Sequence, residues 1–184
     1  RGLLEWAVVD PGSLNLSAID PATRQARGDG VVYINTGAEI RRGMELAAQY
    51  GFHPEYACFE PGFVRMGAAM QRAYPKAPQP IYSFRFAEEL SFGLPPTEWA
   101  LDTYLRLLEI EAPGAHWMAA SMGGSVTPLI PAIVARGGHV RTGLEDAPMG
   151  TKAANVDLVK ECVRAIRAAG GEPATGKEVR AALK

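Results

Sequence analysis

The sequence predicts an α/β fold built around a parallel β-sheet. Short apolar runs alternate with longer segments of helical spacing, and glycine, proline or polar turns separate the two kinds of segment. The apolar runs are hydrophobic at nearly every position, which is typical of strands covered on both faces. No Gly-x-Gly-x-x-Gly motif or Walker-type phosphate loop is present, and this disfavours the nucleotide-binding doubly wound folds.

Five segments have the composition of buried strands. They are residues 6–10, 56–59, 81–86, 117–120 and 139–142, and residues 31–34 form a further short extended segment. Five strands with intervening helices are compatible with an open doubly wound sheet or with most of a closed barrel, and periodicity does not separate the two. With 184 residues and 47% hydrophobic content, we expect one globular domain.

Helical spacing is clearest in the second half of the chain. One helix follows a Pro-Pro-Thr start signal, and its apolar stripe consists of Ala100, Tyr104, Leu107 and Leu108. Thr127 as N-cap and Pro128 in the first turn predict the next helix, which ends at a Gly-Gly pair. A third helix, over 156–166, ends at a second Gly-Gly pair, and Thr175 with Glu178 predicts a capping box for a final short helix.

The composition excludes some classes of partner. Lysine and arginine number 19 against 20 for aspartate and glutamate, so no broad positive field is present to hold nucleic acid or an anionic membrane. No apolar run reaches the roughly 20 residues that span a bilayer. Cys58 and Cys162 have no Cys-x-x-Cys spacing, and we interpret both as buried thiols in a reducing cytoplasm.

The carboxyl end of the fifth predicted strand has the highest density of candidate catalytic side chains. Arg141, Glu145 and Asp146 leave this strand beside a glycine, where the loops of a parallel sheet converge on one opening. Alternation along the strand directs Arg141 toward the mouth of the sheet. The alternative is structural: Arg141 forms an ion pair with one of the two acids and only stabilises the strand end.

Other strand exits carry weaker candidates. Ser13 and Asn15 follow the first strand and could bind a substrate, although Pro-Gly-Ser-x-Asn is also ordinary turn chemistry. Glu60 follows the second strand and fits a ligand contact and a plain loop carboxylate equally well. We expect structural roles at the opposite rim for the residues that precede or begin strands, which are His53, His116 and His139.

Five strings in a fixed order span nearly the whole chain. They are Pro-Gly-Ser-Leu-Asn at 11–15, Tyr-Ile-Asn at 33–35, Pro-Glu-Tyr-Ala-Cys-Phe-Glu-Pro-Gly at 54–62, Gly-Gly-His-Val-Arg-Thr-Gly-Leu-Glu-Asp at 137–146, and Asn155. The fourth string is the most specific, and the others are individually weak. In this order the strings resemble the β-keto acid cleavage enzymes, the family that includes 3-keto-5-aminohexanoate cleavage enzyme.

This resemblance implies a fold and a reaction. The fold is a (β/α)8 TIM barrel, of which this chain would form about the last five βα units as the C-terminal part of one domain. Members of the family react a β-keto acid with acetyl-CoA and give acetoacetate and the CoA ester of the remaining fragment. The expected cofactor is a divalent metal, usually zinc, held by a His-x-His motif on an early strand and by one glutamate.

The resemblance also assigns roles to the candidate residues. The metal-binding glutamate corresponds to Glu145, and the catalytic arginine and aspartate correspond to Arg141 and Asp146. We expect substrate contacts from Ser13, Asn15 and Glu60. A metal polarises a keto carbonyl while protein groups stabilise the developing oxyanion and move protons, so these roles are chemically consistent.

Three departures from the family pattern keep other functions open. No His-x-His occurs, so two metal ligands and three strands are expected upstream of Arg1. Ala57 replaces a frequent carboxylate, and Gly124-Ser-Val replaces a Gly-x-Gly-Arg loop. The alternatives are another metal-dependent barrel lyase or aldolase, and a non-catalytic barrel homologue. Because a five-stranded piece leaves strand edges and apolar faces uncovered, we expect a homo-oligomer.

Overall fold

The computed structural model describes residues 4–20 and 22–183 of the chain, so the expectation about Arg1 lies outside the described residues. In chain order the elements are β1 (Trp6–Val8), β2 (Leu14–Ile19), β3 (Ala26–Tyr33), α1 (Gly37–Tyr50), β4 (His53–Cys58), α2 (Pro61–Ala73), β5 (Ile81–Ala87), α3 (Glu98–Glu111), β6 (His116–Met122), α4 (Ile130–Ala135), β7 (His139–Val140), α5 (Asn155–Ala168) and α6 (Gly176–Ala182). Every predicted strand and helix has a counterpart in this series.

The main sheet has five parallel strands in the order β1-β4-β5-β6-β7. This order confirms the predicted α/β fold with a parallel sheet of βα units. The two edge strands are shorter than predicted, with three and two residues, because each has only one neighbour in the described sheet. Past the end of β7, Arg141 N still donates to Ala119 O at 3.0 Å, so the ladder continues irregularly into the site loop.

A separate antiparallel hairpin, β2 with β3, inserts after β1. The extended segment predicted at 31–34 is the end of β3, but the sequence pattern does not reveal its partner. Asn15 therefore lies within strand β2, and the turn interpretation was wrong for this residue. Every residue of β3 is exposed, including Val31 and Val32, so the hairpin lacks the apolar alternation that identifies strands.

The two predicted helix caps have different outcomes. The capping box at α6 is confirmed, since Thr175 Oγ1 accepts from Glu178 N at 3.3 Å and Glu178 Oε2 accepts from Thr175 N at 2.7 Å. The N-cap prediction at Thr127 was wrong. Thr127 begins a short 3-10 turn that precedes α4, and its own amide donates to Ser125 Oγ at 3.2 Å. Pro128 and Pro131 remove two amide donors from this segment, which shortens the regular helix.

Helices cover one face of the sheet, called here the outer face. Along β5, Tyr82, Phe84 and Phe86 point to this face and are fully buried. The ring of Phe84 stacks on Tyr104 of α3 at 4.8 Å and on Trp117 of β6 at 5.6 Å. This aromatic layer fixes the orientation of β5 and β6, so the alternate residues of both strands must point to the opposite, inner face.

Helix α6 lies against the amino-terminal part of the inner face. Between them is an open cavity of about 510 Å³, lined mainly by apolar side chains such as Met118 and Val179. Arg180 of α6 forms an ion pair with Glu5, immediately before β1, and this contact ties the end of the chain to the sheet edge. No helix within residues 4–20 and 22–183 has the length and hydropathy needed to cross a bilayer.

Candidate functional site

A charged cluster occupies the carboxyl-terminal end of the inner face. Its members are Glu55, Arg85, Arg141, Glu145 and Asp146. Strand alternation explains why two of them meet, because Glu55 and Arg85 are out of phase with the outward-facing aromatic residues of β4 and β5. Arg141 follows β7, and a tight loop returns the two acids toward it. The structure thus brings together Arg141, Glu145 and Asp146, as the sequence predicted.

Arg141 is held by three carboxylates. Its Nε donates to Asp146 Oδ2 at 3.1 Å, and its Nη2 pairs with Glu145 Oε2. Its Nη1 lies 3.8 Å from Glu55 Oε1. The fork geometry of the guanidinium fixes the relative positions of the three acids.

Arg85, on β5, contacts two of the same three acids. Its Nη2 donates to Glu55 Oε1 at 2.7 Å, and its Nη1 lies 3.6 Å from Asp146 Oδ1. Asp146 therefore sits between two guanidiniums, with one oxygen bound to Arg141. Among the described residues, its other oxygen, Oδ1, has no hydrogen-bond partner.

The members of the cluster differ greatly in burial. Arg85 is 3% exposed and Asp146 is 5% exposed, whereas the Glu145 side chain is 68% exposed. Burial raises the pKa of the Asp146 carboxyl, and the guanidiniums of Arg141 and Arg85 oppose this effect. Burial likewise lowers the pKa of the Arg85 guanidinium, yet its neighbouring acids favour the charged form. Asp146 is thus a buried acid, and Glu145 is an accessible one.

The loop that carries the two acids is anchored on both sides. Asp146 N and Ala147 N both donate to Gly143 O at 3.1 Å, which closes a tight turn. The side chain of Asn155, at the start of α5, accepts from Leu144 N at 3.1 Å. Asn155, a weak motif in the sequence, therefore holds the site loop on the following helix.

The three candidate substrate residues lie at strand exits but outside the cluster. Ser13 is exposed, and its hydroxyl accepts from Asn35 N at 2.8 Å and donates to Asn35 O at 3.0 Å. Asn15 is exposed on β2. Glu60 precedes α2, and its Oε1 accepts from Gly93 N at 3.1 Å. Their roles in substrate binding stay predictions.

A small cavity of about 230 Å³ opens beside Arg141 and Asp146, between the loop after β6 and helix α5. Ser121 lines it and is almost fully buried, and its hydroxyl has no hydrogen-bond partner among the described residues. Ser125, Thr127 and Thr142 add further hydroxyl groups, and apolar residues such as Val126 and Leu158 complete the wall. The cavity places hydroxyl groups next to the guanidinium and the buried acid.

Comparison with known proteins identifies the family. The model of the family described as beta-keto acid cleavage enzyme matches residues 2–184. The chain belongs to the β-keto acid cleavage enzyme family. A curated relative, the 3-dehydrocarnitine:acetyl-CoA trimethylamine transferase of Rhizobium meliloti (strain 1021), is 26% identical over an alignment of 185 residues that covers 99% of this chain and 57% of the relative.

Solved structures of ObcA share the fold. ObcA in a binary complex with oxaloacetate superposes with a TM-score of 0.69 at 16% identity, over 97% of this chain and 45% of that chain. The ternary complex of ObcA with a C4-CoA adduct and oxalate gives 0.68 at 15% identity over the same shares. The chain thus spans about half the length of the proteins that it matches.

Two departures from the family pattern line the site of this β-keto acid cleavage family member. Ala57 is 3% exposed on β4, two residues after Glu55 and on the same inner face. Gly124 lies in the loop after β6, where an added Cβ would come within 2.7 Å of Ser121 Oγ and 2.9 Å of Glu88 Oε2. A side chain at 124 would therefore displace both groups.

The residues present do not by themselves fit a metal. Within the described part of the chain, no group of three or more histidine, cysteine, aspartate or glutamate side chains could hold a metal ion. The three histidines begin strands at the opposite end of the sheet, where the rings of His116 and His139 lie 6.4 Å apart and His53 packs on Trp6 at 4.8 Å. Within the charged cluster at the carboxyl-terminal end, Glu145 is the most accessible carboxylate.

Sequence reasoning did not assign Glu55, Asp10 or Arg85 to the site. Asp10 follows β1, where Tyr33 donates to its carboxylate, and burial raises its pKa. A signal for Arg85 is present, because it is the only charged residue in the apolar run 81–86. A single arginine in a strand buried on both faces needs a buried acid nearby.

Proposed function

We propose that this protein is a β-keto acid cleavage enzyme that condenses a β-keto acid with acetyl-CoA. The products would be acetoacetate and the CoA ester of the remaining fragment. The observation that carries the proposal is Asp146, a buried acid that lines a small cavity and is fixed by Arg141 through one oxygen, while its other oxygen has no hydrogen-bond partner among the described residues. Membership of the family and the acetyl-CoA transferase name of the curated relative support the same reaction.

In the proposed mechanism, Asp146 Oδ1 takes a proton from the carbon between the keto and carboxylate groups of the substrate. A carboxylate with one oxygen held and one free is suited to this step, because the free oxygen is oriented and needs no hydrogen bond broken. The resulting enolate carbon attacks the acetyl carbonyl of acetyl-CoA, and CoA leaves as a thiolate. The thiolate then attacks the keto carbonyl of the substrate, the bond between that carbonyl and the α-carbon breaks, and the new CoA ester forms. Acetoacetate leaves as its enolate and takes the proton back from Asp146. Arg141 holds Asp146 ionised or binds the substrate carboxylate with its other nitrogens.

The test uses purified protein with acetyl-CoA and a panel of β-keto acids, and mass spectrometry detects acetoacetate and the new CoA ester. We expect Asp146→Asn to reduce turnover at least about a hundredfold, since a positioned base contributes about that much. Asp102→Asn is the matched control, because Asp102 pairs with Arg136 at 3.0 Å on the outer surface. Unchanged turnover in Asp146→Asn would show that the base is another group. Products formed without acetyl-CoA would favour an aldolase.

We infer that Glu145 is the residue of this chain that would hold a divalent metal, with zinc as the expected ion. Its exposed carboxylate is the accessible acid of the cluster, and carboxylate oxygens are accepted zinc ligands. A bound metal would polarise the keto carbonyl. The partnering histidines would come from residues outside those that the structure describes.

We also infer that the five-stranded sheet is part of a (β/α)8 barrel, with residues 1–184 as the C-terminal part of one domain. The sequential strand order β1-β4-β5-β6-β7 fits one side of such a barrel, and the matched proteins are about twice as long. A homo-oligomer is proposed from the hairpin, where Val31, Val32 and Ile34 are each at least 60% exposed. Small β-keto acids are the proposed partners, and neither nucleic acid nor a membrane is expected.

A further inference from the structure

Among the described residues, Arg85 is the most deeply buried charged residue that the proposed chemistry leaves unused. It lies between Phe84 and Phe86, both fully buried, and is itself 3% exposed. Removing a guanidinium from water costs several kcal/mol unless acids and hydrogen bonds compensate. Such a residue is retained where its charge is needed, so its contacts indicate its role.

The contacts of Arg85 all lead to the reactive end of the sheet. Its Nη2 donates to Glu55 Oε1 at 2.7 Å, and that oxygen also lies 3.8 Å from Arg141 Nη1. One carboxylate oxygen is thus shared by two guanidiniums. Any shift of Arg85 changes the position of Glu55, and through it the position of Arg141.

A second contact links Arg85 directly to Asp146. Arg85 Nη1 and Asp146 Oδ1 are 3.6 Å apart, and neither atom has a hydrogen bond to a described residue. The two unpaired atoms therefore face each other just beyond bonding distance. A small closing movement would pair both, whereas the present separation leaves Oδ1 buried and without a hydrogen bond, so that no bond has to break before it takes a proton.

We propose that Arg85 is a positioning residue, which fixes Arg141 through Glu55 and orients the free oxygen of Asp146. This role rests on the proposed function of Asp146 as the base. Arg85 does not need to touch the substrate, because both of its unpaired nitrogens are buried. Position 57 lies on the same inner face as Glu55 but is an alanine, so Glu55 is the acid that β4 contributes to this network.

The first measurement is steady-state kinetics of Arg85→Gln and Arg85→Lys. We expect Arg85→Gln to lower kcat about 10- to 100-fold with KM changed less than about threefold, because a displaced catalytic group affects turnover more than binding. Lysine should restore part of kcat, since it keeps the charge but loses the fork. Arg136→Gln is the control, an ion-paired arginine on the outer side of the sheet whose loss should leave both constants unchanged. A higher KM with unchanged kcat would mean that Arg85 binds substrate directly, and would overturn the proposal.

The second measurement does not depend on enzymatic turnover. Denaturant unfolding of Arg85→Gln, Asp146→Asn and the double variant forms a mutant cycle, and residues in one network couple in such a cycle. We expect the unfolding constant of the double variant to differ at least threefold from the product of the single effects. Additive effects would overturn the proposal whether or not turnover is seen. If the unaltered protein produces no CoA ester, the proposed function fails. The mutant cycle still shows whether Arg85 and Asp146 are energetically coupled. Arg85→Lys replaces Arg85→Gln in the cycle if the glutamine variant does not fold.

Discussion

Glu60 allows a sharp test between a structural and a substrate-binding role. In the structure its carboxylate accepts from Gly93 N at 3.1 Å and stands at the start of α2. Gly93 has φ +58°, and a Cβ there would lie 2.2 Å from Phe59 O, so the loop depends on this close approach. The carboxylate thus fastens a tight loop to the beginning of a helix.

The expected cost of removing this carboxylate follows from two contributions. Glu60→Ala leaves a partly buried amide without its charged acceptor, at about 1.5–3 kcal/mol, and removes an anion from a helix N-terminus, at about 0.3–1 kcal/mol. We expect a total near 2–3 kcal/mol, which lowers Tm by roughly 5–10 °C in a chain of this length. Glu60→Gln keeps an acceptor oxygen and should lose only about 1 kcal/mol or less.

Calorimetry of both variants, with turnover measured in parallel, separates the two roles. A purely structural Glu60 predicts a stable, active glutamine variant and a destabilised alanine variant. The structural argument is refuted if alanine is as stable as glutamine. A stable glutamine variant without turnover would instead assign Glu60 to the substrate, as the sequence resemblance suggests.

Three further predictions concern packing, pH and association. Gly138→Ala should cost about 1–3 kcal/mol of unfolding free energy, because its Cβ would lie 2.1 Å from the ring of Trp117, whereas Gly62→Ala, with open space around it, should be neutral or slightly stabilising. Burial, as the larger cause, lowers the pKa of His139 in the folded state. The contribution of His139 to the free energy of unfolding should therefore be full above the unfolded-state pKa of about 6.5 and should decrease as the pH falls from that value toward the lower folded pKa. Unfolding experiments at several pH values should show this loss, and His139→Gln should reduce it. Val32→Lys should shift sedimentation toward the monomer if the exposed hairpin mediates association, and an unchanged sedimentation profile would exclude this surface.

The sequence predicts the sheet well because its strands are buried on both faces. Continuous apolar runs at 81–86 and 117–120 leave little choice of structure, and the aromatic layer of Phe84, Tyr104 and Trp117 forms as the spacing indicates. The hairpin is different, since β3 buries none of its residues. Leu14 is the one buried residue of β2, so a hydrophobic pattern gives little information about the register of the pair.

The sequence predicts only those residues of the candidate site that lie close together in the chain. Arg141, Glu145 and Asp146 lie within six consecutive residues, so a short string can reveal them. Glu55 and Arg85 reach the same place from strands 30 residues apart, through side-chain direction and register. Without an assigned face for each strand, their convergence cannot be inferred from spacing.

The charge balance of the cluster supports different roles for its two adjacent acids, Glu145 and Asp146. Two guanidiniums, of Arg85 and Arg141, face three carboxylates, so the cluster carries one excess negative charge. Asp146 and Glu55 are the more buried acids and are shared between both arginines, whereas Glu145 contacts only Arg141 and is 68% exposed. Glu145 is therefore the one acid that can turn toward a cation without unpairing a buried guanidinium, because two arginines would then balance the two remaining carboxylates. This charge balance supports the proposed metal role of Glu145 and the proposed proton role of Asp146.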